Sequence, residues 1–189
     1  MKLFIQVTLA VYFITLFVFS FWSTLTFQKP QNGWVGSLAY LPHGCKVIFI
    51  SFFGIRAAPA LFLAEYTGQY LEWPNTDLTY LWVGSLSSIL SVLVSVYILT
   101  SLKIGTDTNL RINKKLTYKN YKFIIFVIFL SALFNSIFTN LVLSMINQVT
   151  INVPVIVRFY IGDIIGSLVF IAWLFIFARL FIKNFQINR

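Results

Sequence analysis

Two ionisable side chains, His43 and Lys46, lie inside an apolar run of the sequence, LAYLPHGCKVIFISFFG, which is long enough to enter a lipid bilayer. They are three residues apart, so on a helix they share one face. A lysine ammonium surrounded by hydrocarbon is costly on any scale of membrane insertion. Lys46 therefore needs a carboxylate opposite it, and such a pair has the chemistry to hold a ligand inside the protein.

Other apolar runs carry the charges that would complete such a site. Glu65 and Asp163 are the acidic residues, and Arg158 is a further cation near the start of the last run. We expect Asp163 to be the partner of Lys46, with Glu65 as the second choice, because unpaired charges at this depth would be far more costly. Together with His43, these residues form a predicted site for a small polar or anionic ligand that enters from the outer side.

Proline and glycine residues near the charged positions predict where helices bend or approach one another closely. Pro42 lies inside the second apolar run, where it removes a backbone hydrogen bond and is expected to kink or loosen the helix. Gly162 and Gly166 are four residues apart, a spacing that lets a neighbouring backbone come close. The predicted structural or pivot positions are Pro42, Gly44, Gly54, Pro59, Gly162 and Gly166.

The composition identifies lipid as the main solvent of the chain. Of the 189 residues, 59% are hydrophobic and only 10% are charged, and the mean hydropathy is +0.85. A soluble fold of this size cannot bury so much apolar surface. The single cysteine, Cys45, excludes an intrachain disulfide, and one histidine beside it gives too few ligands for a metal site. We expect no cofactor, and we interpret the net charge of +9 as a topology signal rather than as nucleic-acid binding.

Apolar segments of about 20 residues predict an all-α, polytopic integral membrane bundle of about six transmembrane helices in one domain, 1–189. The linker GIRAAP joins the second and third into a tight helical hairpin, and the third is short enough for a partly re-entrant course. The loop 103–122 is basic, so the positive-inside rule places it and both termini in the cytoplasm. The predicted spans are about 3–27, 35–54, 57–72, 78–102, 121–146 and 154–182.

Each polar feature also has a purely structural interpretation. The serine stripe of the fourth span, which includes Ser88, is typical of a helix packing face. Asn135 is expected to bond a neighbouring helix rather than a substrate, and His43 alone is compatible with one interhelical hydrogen bond. For the whole charged set, the alternative to a ligand site is a salt-bridge network that only stabilises one arrangement of the helices.

Two segments of the sequence resemble the first-described family of membrane-associated sensor domains. The first, YLPHGCKVIFISFFGIRAAPALFLAEYTG at 40–68, is similar to the opening signature of the family, and the second, RFYIGDIIGSLVFIAWLF at 158–175, to its late Gly-Asp-x-x-Gly helix. The matching residues are Leu41, Pro42, Gly44, Gly54, Arg56, Pro59, Leu61, Phe62, Leu63, Gly162, Asp163 and Gly166.

The resemblance implies a sensory module of the bacterial inner membrane. Domains of the family usually have more spans and precede a histidine-kinase or cyclic-di-GMP-synthesising domain. Here only a short tail to Arg189 follows the last helix, so we expect the signal to pass to a separate histidine kinase or diguanylate cyclase. The family signature brings no defined ligand.

The leading expectation is thus a non-enzymatic sensory or ligand-binding module, and three alternatives stand beside it. A small solute or proton-coupled transporter would also place charges beside a broken helix. An intramembrane enzyme could use His43 as a base oriented by Asp163, although the sequence contains no recognisable serine or cysteine nucleophile motif. A scaffold subunit that only binds other membrane proteins is the third alternative.

Overall fold

The computed structural model describes residues 2–26, 37–72, 78–104, 118–147 and 152–187, and helices account for nearly all of them. There is no β-strand among these residues. A four-residue 3-10 turn, Gly54–Ala57, joins the second helix to the third. The helices are α1 Lys2–Thr26, α2 Leu41–Phe53, α3 Ala58–Glu72, α4 Leu78–Ser101, α5 Tyr118–Asn147 and α6 Val153–Ile187.

Five segments are long and apolar enough to cross a membrane, which identifies a multi-pass architecture. They are Ile5–Leu25, Leu41–Glu72, Leu81–Ser101, Tyr121–Met145 and Val153–Leu180. The second segment contains both α2 and α3, which have only 13 and 15 residues. A helix of that length covers about 20 Å, less than the roughly 30 Å hydrocarbon layer. The predicted count of six spans is therefore not confirmed, and the basic loop 103–122 lies mostly outside the described residues.

The chain reverses direction between α2 and α3. The Nζ atom of Lys46 lies 2.9 Å from Oε1 of Glu65, whereas 19 residues of continuous helix would separate them by about 28 Å. Gly54 makes the reversal with φ 62° and ψ −149°, a backbone conformation that a side chain rarely permits. Pro59 follows in the first turn of α3, where its missing N–H has no helical partner to lose. The predicted hairpin and the positions of Gly54 and Pro59 are confirmed.

The sequence predicts a kink at Pro42, but the structure has none there. The helix begins only at Leu41, so Pro42 occupies its first turn, where the N–H groups have no intrahelical acceptor. The ring therefore helps α2 to start and does not interrupt it.

Helix α2 is the centre of the bundle. It packs against α1, α4, α5 and α6, and the hairpin turn brings α3 beside it. All residues from Pro42 to Val47 are buried. The other helices surround it as neighbours in the order α1, α3, α4, α5, α6. Residues 42–47, which include His43 and Lys46, are consequently enclosed by protein and not by lipid.

The helices alternate in direction, so the last residues of α1 and α3 and the first residues of α2 lie at the same end of the bundle. Trp22 Nε1 near the end of α1 donates to the Ala39 carbonyl oxygen at 2.6 Å, and Ser23 Oγ donates to Glu72 Oε2 at the end of α3 at 3.0 Å. Tyr40 N donates to the carbonyl oxygen of Gly162 in α6 at 2.9 Å. We call this the upper end; the sequence predicts that it faces outward.

The Gly162/Gly166 spacing does admit a neighbouring backbone, but the neighbour is not a helix. A Cβ atom at Gly162 would overlap the carbonyl oxygen of Ser37, and one at Gly166 would overlap the backbone of Tyr40. Both positions therefore hold the short segment 37–40 that leads into α2. On the opposite side, a Cβ at Gly44 would lie 2.8 Å from Cβ of Phe170, so α2 and α6 are also in close contact below this segment.

Candidate functional site

Lys46 forms the first half of a buried polar cluster near the upper end. Its ammonium donates to Glu65 Oε1 at 2.9 Å and to Ser88 Oγ, and it lies 5.0 Å from the centroid of the Tyr40 ring. Tyr40 also donates its phenolic hydrogen to Glu65 Oε1 at 2.7 Å. The three ammonium hydrogens therefore have a carboxylate, a hydroxyl and an aromatic face available to them.

Our expectation that Asp163 would pair with Lys46 was wrong, and the second choice, Glu65, is the partner. The hairpin explains the difference. Lys46 precedes Gly54 by the same number of residues as Glu65 follows Ala57, so both reach the same level of adjacent antiparallel helices. The carboxylate of Asp163, on α6, instead meets a histidine.

His43 and Asp163 form the second half of the cluster. His43 Nε2 is 2.9 Å from Ser131 Oγ, and its Nδ1 is 3.7 Å from Asp163 Oδ2. Asn135 Nδ2 donates to the same Oδ2 at 2.6 Å, which joins α5 to α6 as the structural interpretation of Asn135 predicted. Thr139 Oγ1 in turn donates to Asn135 Oδ1 at 2.9 Å and fixes the amide orientation.

The cluster is shielded from lipid. The exposed fractions of its ionisable residues are 0% for His43 and Lys46, 3% for Glu65 and 1% for Asp163. Charged groups at this depth persist only when they are paired and hydrogen-bonded. The cost of Lys46 in an apolar run is thus offset by Glu65 inside the protein.

Two buried polar atoms of the cluster have no hydrogen-bond partner among the described residues. They are Oε2 of Glu65 and Nδ1 of His43. Buried polar atoms are nearly always satisfied by protein or by ordered water, so these two mark the capacity of the site to accept another group.

Arg158 is not part of this cluster. It makes no ion pair with Glu65 or Asp163, all three being residues that the structure describes. Five residues on a helix turn through about 500°, which directs Arg158 to a different side of α6 from Asp163. Its Nε atom is buried and without a hydrogen-bond partner among the described residues. The ligand-binding roles assigned to His43, Lys46, Glu65, Asp163 and Arg158 stay predictions.

Sequence reasoning did not place three members of the cluster. It attributes Ser88 to a packing face, it notes Ser131 only as part of an inward polar stripe with Asn135 and Thr139, and it gives Tyr40 no role. In the structure these residues contact Lys46, Glu65 and His43. The signal in the sequence was spacing: Ser131 precedes Asn135 by one helical turn, and Tyr40 directly precedes α2. Within the described residues, no three His, Cys, Asp or Glu side chains are close enough together to hold a metal ion.

Replacing Asn135 with alanine is expected to lower the free energy of unfolding by about 1.5–3 kcal/mol, because Asp163 loses its donor and remains buried. The matched control is Asn140→Ala on the same helix, where the amide donates only to the Ser136 carbonyl one turn away. Melting temperatures in one detergent measure both changes. Equal losses at the two positions would contradict a special role for the α5–α6 bond.

The resemblance to membrane-associated sensor domains rests on the residues named above and stays a prediction. No family model, no curated protein and no solved structure matches this chain.

Proposed function

We propose that this chain is a membrane-embedded sensory module that binds a small polar ligand in the buried cluster. The supporting observation is that two buried atoms, Glu65 Oε2 and His43 Nδ1, have no hydrogen-bond partner among the described residues, although the ion pair beside them is satisfied. Both atoms lie near the upper end of the central helix. His43 is on α2 and Glu65 on α3, so a ligand that bonds both atoms would favour the arrangement of the hairpin that binds it.

The free hydrogen-bonding capacity of Glu65 Oε2 favours a ligand that donates hydrogen bonds over an anion. Glu65 Oε2 is an acceptor, and Lys46 already has Glu65 and Ser88 as partners. An anion would have to displace the Glu65 carboxylate from Lys46, which loses a buried charge pair before any new contact forms. An amine or a hydroxyl can instead donate a hydrogen bond directly to Glu65 Oε2.

The module acts in the bacterial inner membrane, with the upper end outward, and passes its state to a separate histidine kinase or diguanylate cyclase. These parts of the proposal follow from the positive-inside rule and from the resemblance to sensor domains. Helix α6 is the natural output element, because it carries Asp163 near one end and extends to Ile187 at the other.

A thermal-shift screen of the purified full chain in detergent tests ligand binding. The panel contains ammonium, small amines, amino acids and polyols as donors, and phosphate and acetate as anions. We expect at least one donor to raise the melting temperature by about 5 °C at a concentration 100 times its Kd. The shift should vanish in the double variant Lys46→Met/Glu65→Gln, which removes both charges, and persist in Glu72→Gln. A donor that stabilises the double variant equally well would show that the ligand binds elsewhere.

The His43–Asp163 contact also favours a second candidate, a proton-coupled transporter, because such residues form proton pathways in membranes. Solute uptake into proteoliposomes under a pH gradient separates the two, since a sensor moves no solute.

An enzyme is the least supported of the three functions. Ser131, His43 and Asp163 do lie next to one another in space as the serine, histidine and aspartate of a hydrolase triad do. However, the Ser131 hydroxyl donates to the Ile128 carbonyl within an intact helix. Labelling of Ser131 by a fluorophosphonate would favour the enzyme.

A further inference from the structure

Arg158 is a cation near the upper end of α6 whose charge no described residue balances. Neither of the ion pairs among the described residues involves it, and its Nε atom is buried with no hydrogen-bond partner in that part of the chain. The side chain as a whole is only partly buried, so part of it reaches the surface of the bundle. A guanidinium stays charged in a protein, and a covered nitrogen is costly until an acceptor meets it.

The second arginine of the same helix indicates the depth of Arg158 in the membrane. Arg179 is exposed and follows Arg158 by 21 residues, which on a helix cover about 31 Å. The hydrocarbon layer of a bilayer is about 30 Å thick. Asp163, which is buried, is the only charged residue between the two arginines. The arginines therefore lie at the two boundaries of the hydrocarbon, with Arg158 at the upper one.

The direction of the side chain brings the guanidinium to the level of the lipid phosphates. Helix α6 begins at the upper end, and side chains on a helix lean toward its N-terminus, so the side chain of Arg158 extends upward from its backbone. The headgroup layer lies directly above the hydrocarbon boundary. Trp82, near the start of α4 at the same end, is 45% exposed, as is typical of side chains at a membrane interface.

The segment 37–40 lies below Arg158 on the same face of α6. Arg158 precedes Gly162 by four residues, which places it one turn above that glycine. The Ser37 carbonyl oxygen packs against Gly162 on this face. Glu72, the carboxylate described at the end of α3, accepts from Ser23 instead. The acceptor for Arg158 is therefore expected from the membrane side.

We propose that Arg158 binds the phosphate of an anionic phospholipid in the upper leaflet. A guanidinium donates two parallel hydrogen bonds to two oxygens of one phosphate, and such a phosphate also supplies the acceptor that Nε lacks. A lipid with a net negative charge is favoured over a zwitterionic lipid, whose own cation already balances its phosphate. Free phosphate has the same oxygens but no acyl chains to hold it at the hydrocarbon boundary. The site goes beyond the proposed sensory function and does not depend on it.

Short-chain lipids added to the full chain in a non-ionic detergent test the site. We expect phosphatidylglycerol to raise the melting temperature by about 5 °C at a concentration 100 times its Kd. Phosphatidylcholine with the same acyl chains should raise it less, and inorganic phosphate at the same concentration should not raise it. An equal shift with inorganic phosphate would overturn the lipid site in favour of a free anion. Equal shifts with the two lipids would show that the negative charge is not recognised.

Three variants separate Arg158 from a general attraction between the basic chain and anionic lipid. Arg158→Gln should weaken the binding of phosphatidylglycerol by about tenfold or more, because a charge-assisted pair is lost. Arg158→Lys keeps the charge but not the fork of donors, so its affinity should be intermediate. Arg179→Gln is the matched control at the other boundary of the same helix, and it should bind this lipid as the wild type does. Equal weakening by Arg179→Gln and Arg158→Gln would overturn a specific site.

The stability of Arg158→Gln without added lipid checks that the guanidinium does not serve the fold. We expect the melting temperature in detergent alone to match that of the wild type, because the substitution removes no hydrogen bond or ion pair to a described residue. A clear decrease would show that Arg158 stabilises the protein itself, and it would overturn the lipid site. These measurements leave Lys46 and Glu65 unchanged, so this proposal and the ligand-binding proposal fail separately.

Discussion

Replacing Glu65 with glutamine is expected to lower the free energy of unfolding by about 3–5 kcal/mol, because it leaves the ammonium of Lys46 buried without a counter-charge. Tyr40 and Lys46 keep an oxygen to which they can donate, so the loss reports charge and not hydrogen bonding. In a protein of this size the melting temperature should fall by about 10 °C. Lys46→Met alone should have a comparable effect, since the Glu65 carboxylate is then the unpaired charge.

The double variant Lys46→Met/Glu65→Gln should recover most of the loss, because no charge remains to be compensated. Glu72→Gln is the matched control on the same helix: its carboxylate accepts from Ser23 at the upper end, and its loss should cost about 1 kcal/mol. Additive losses in the double variant would show that Lys46 and Glu65 do not stabilise each other.

Alanine at Gly162 is expected to prevent the normal fold, with a loss above about 3 kcal/mol. The added Cβ would overlap the Ser37 carbonyl oxygen, and the obstacle is backbone, which cannot turn away as a side chain can. The hydrogen bond from Tyr40 N to the Gly162 carbonyl would be displaced as well. Size-exclusion profiles and melting curves in detergent measure the effect.

The control for this substitution is Gly84→Ala on α4, where a Cβ meets nothing within 4 Å. It should leave the melting temperature unchanged or raise it slightly, since alanine is the better helix former. A Gly162→Ala protein as stable as the Gly84→Ala protein would mean that segment 37–40 does not lie against α6.

The sequence was sufficient for the features that depend on local physics. Apolar runs gave the all-helical membrane architecture, and the glycine and proline of GIRAAP gave the hairpin, because turn conformations and missing N–H groups act within a few residues. It also indicated that Lys46 must face a carboxylate, which the Glu65 contact confirms.

The features that depend on three-dimensional neighbours were not accessible. To choose Glu65 rather than Asp163 as the partner of Lys46, one must know at which level each helix lies beside the next. The role of Pro42 depended on where α2 begins, six residues later than the predicted span, and no local pattern fixes that start. Ser88 and Tyr40 were missed because a serine or tyrosine in a membrane helix has the same sequence appearance whether it packs or bonds an ammonium.

The pairing of Lys46 with Glu65 has a consequence for how the protein is made. The hairpin is synthesised before α4, α5 and α6, so the central helix can meet the lipid ahead of three of its eventual neighbours. Both members of the ion pair are already present in that nascent hairpin and can neutralise each other as it inserts. Had Lys46 depended on Asp163, its charge would have waited unpaired until the last helix was synthesised.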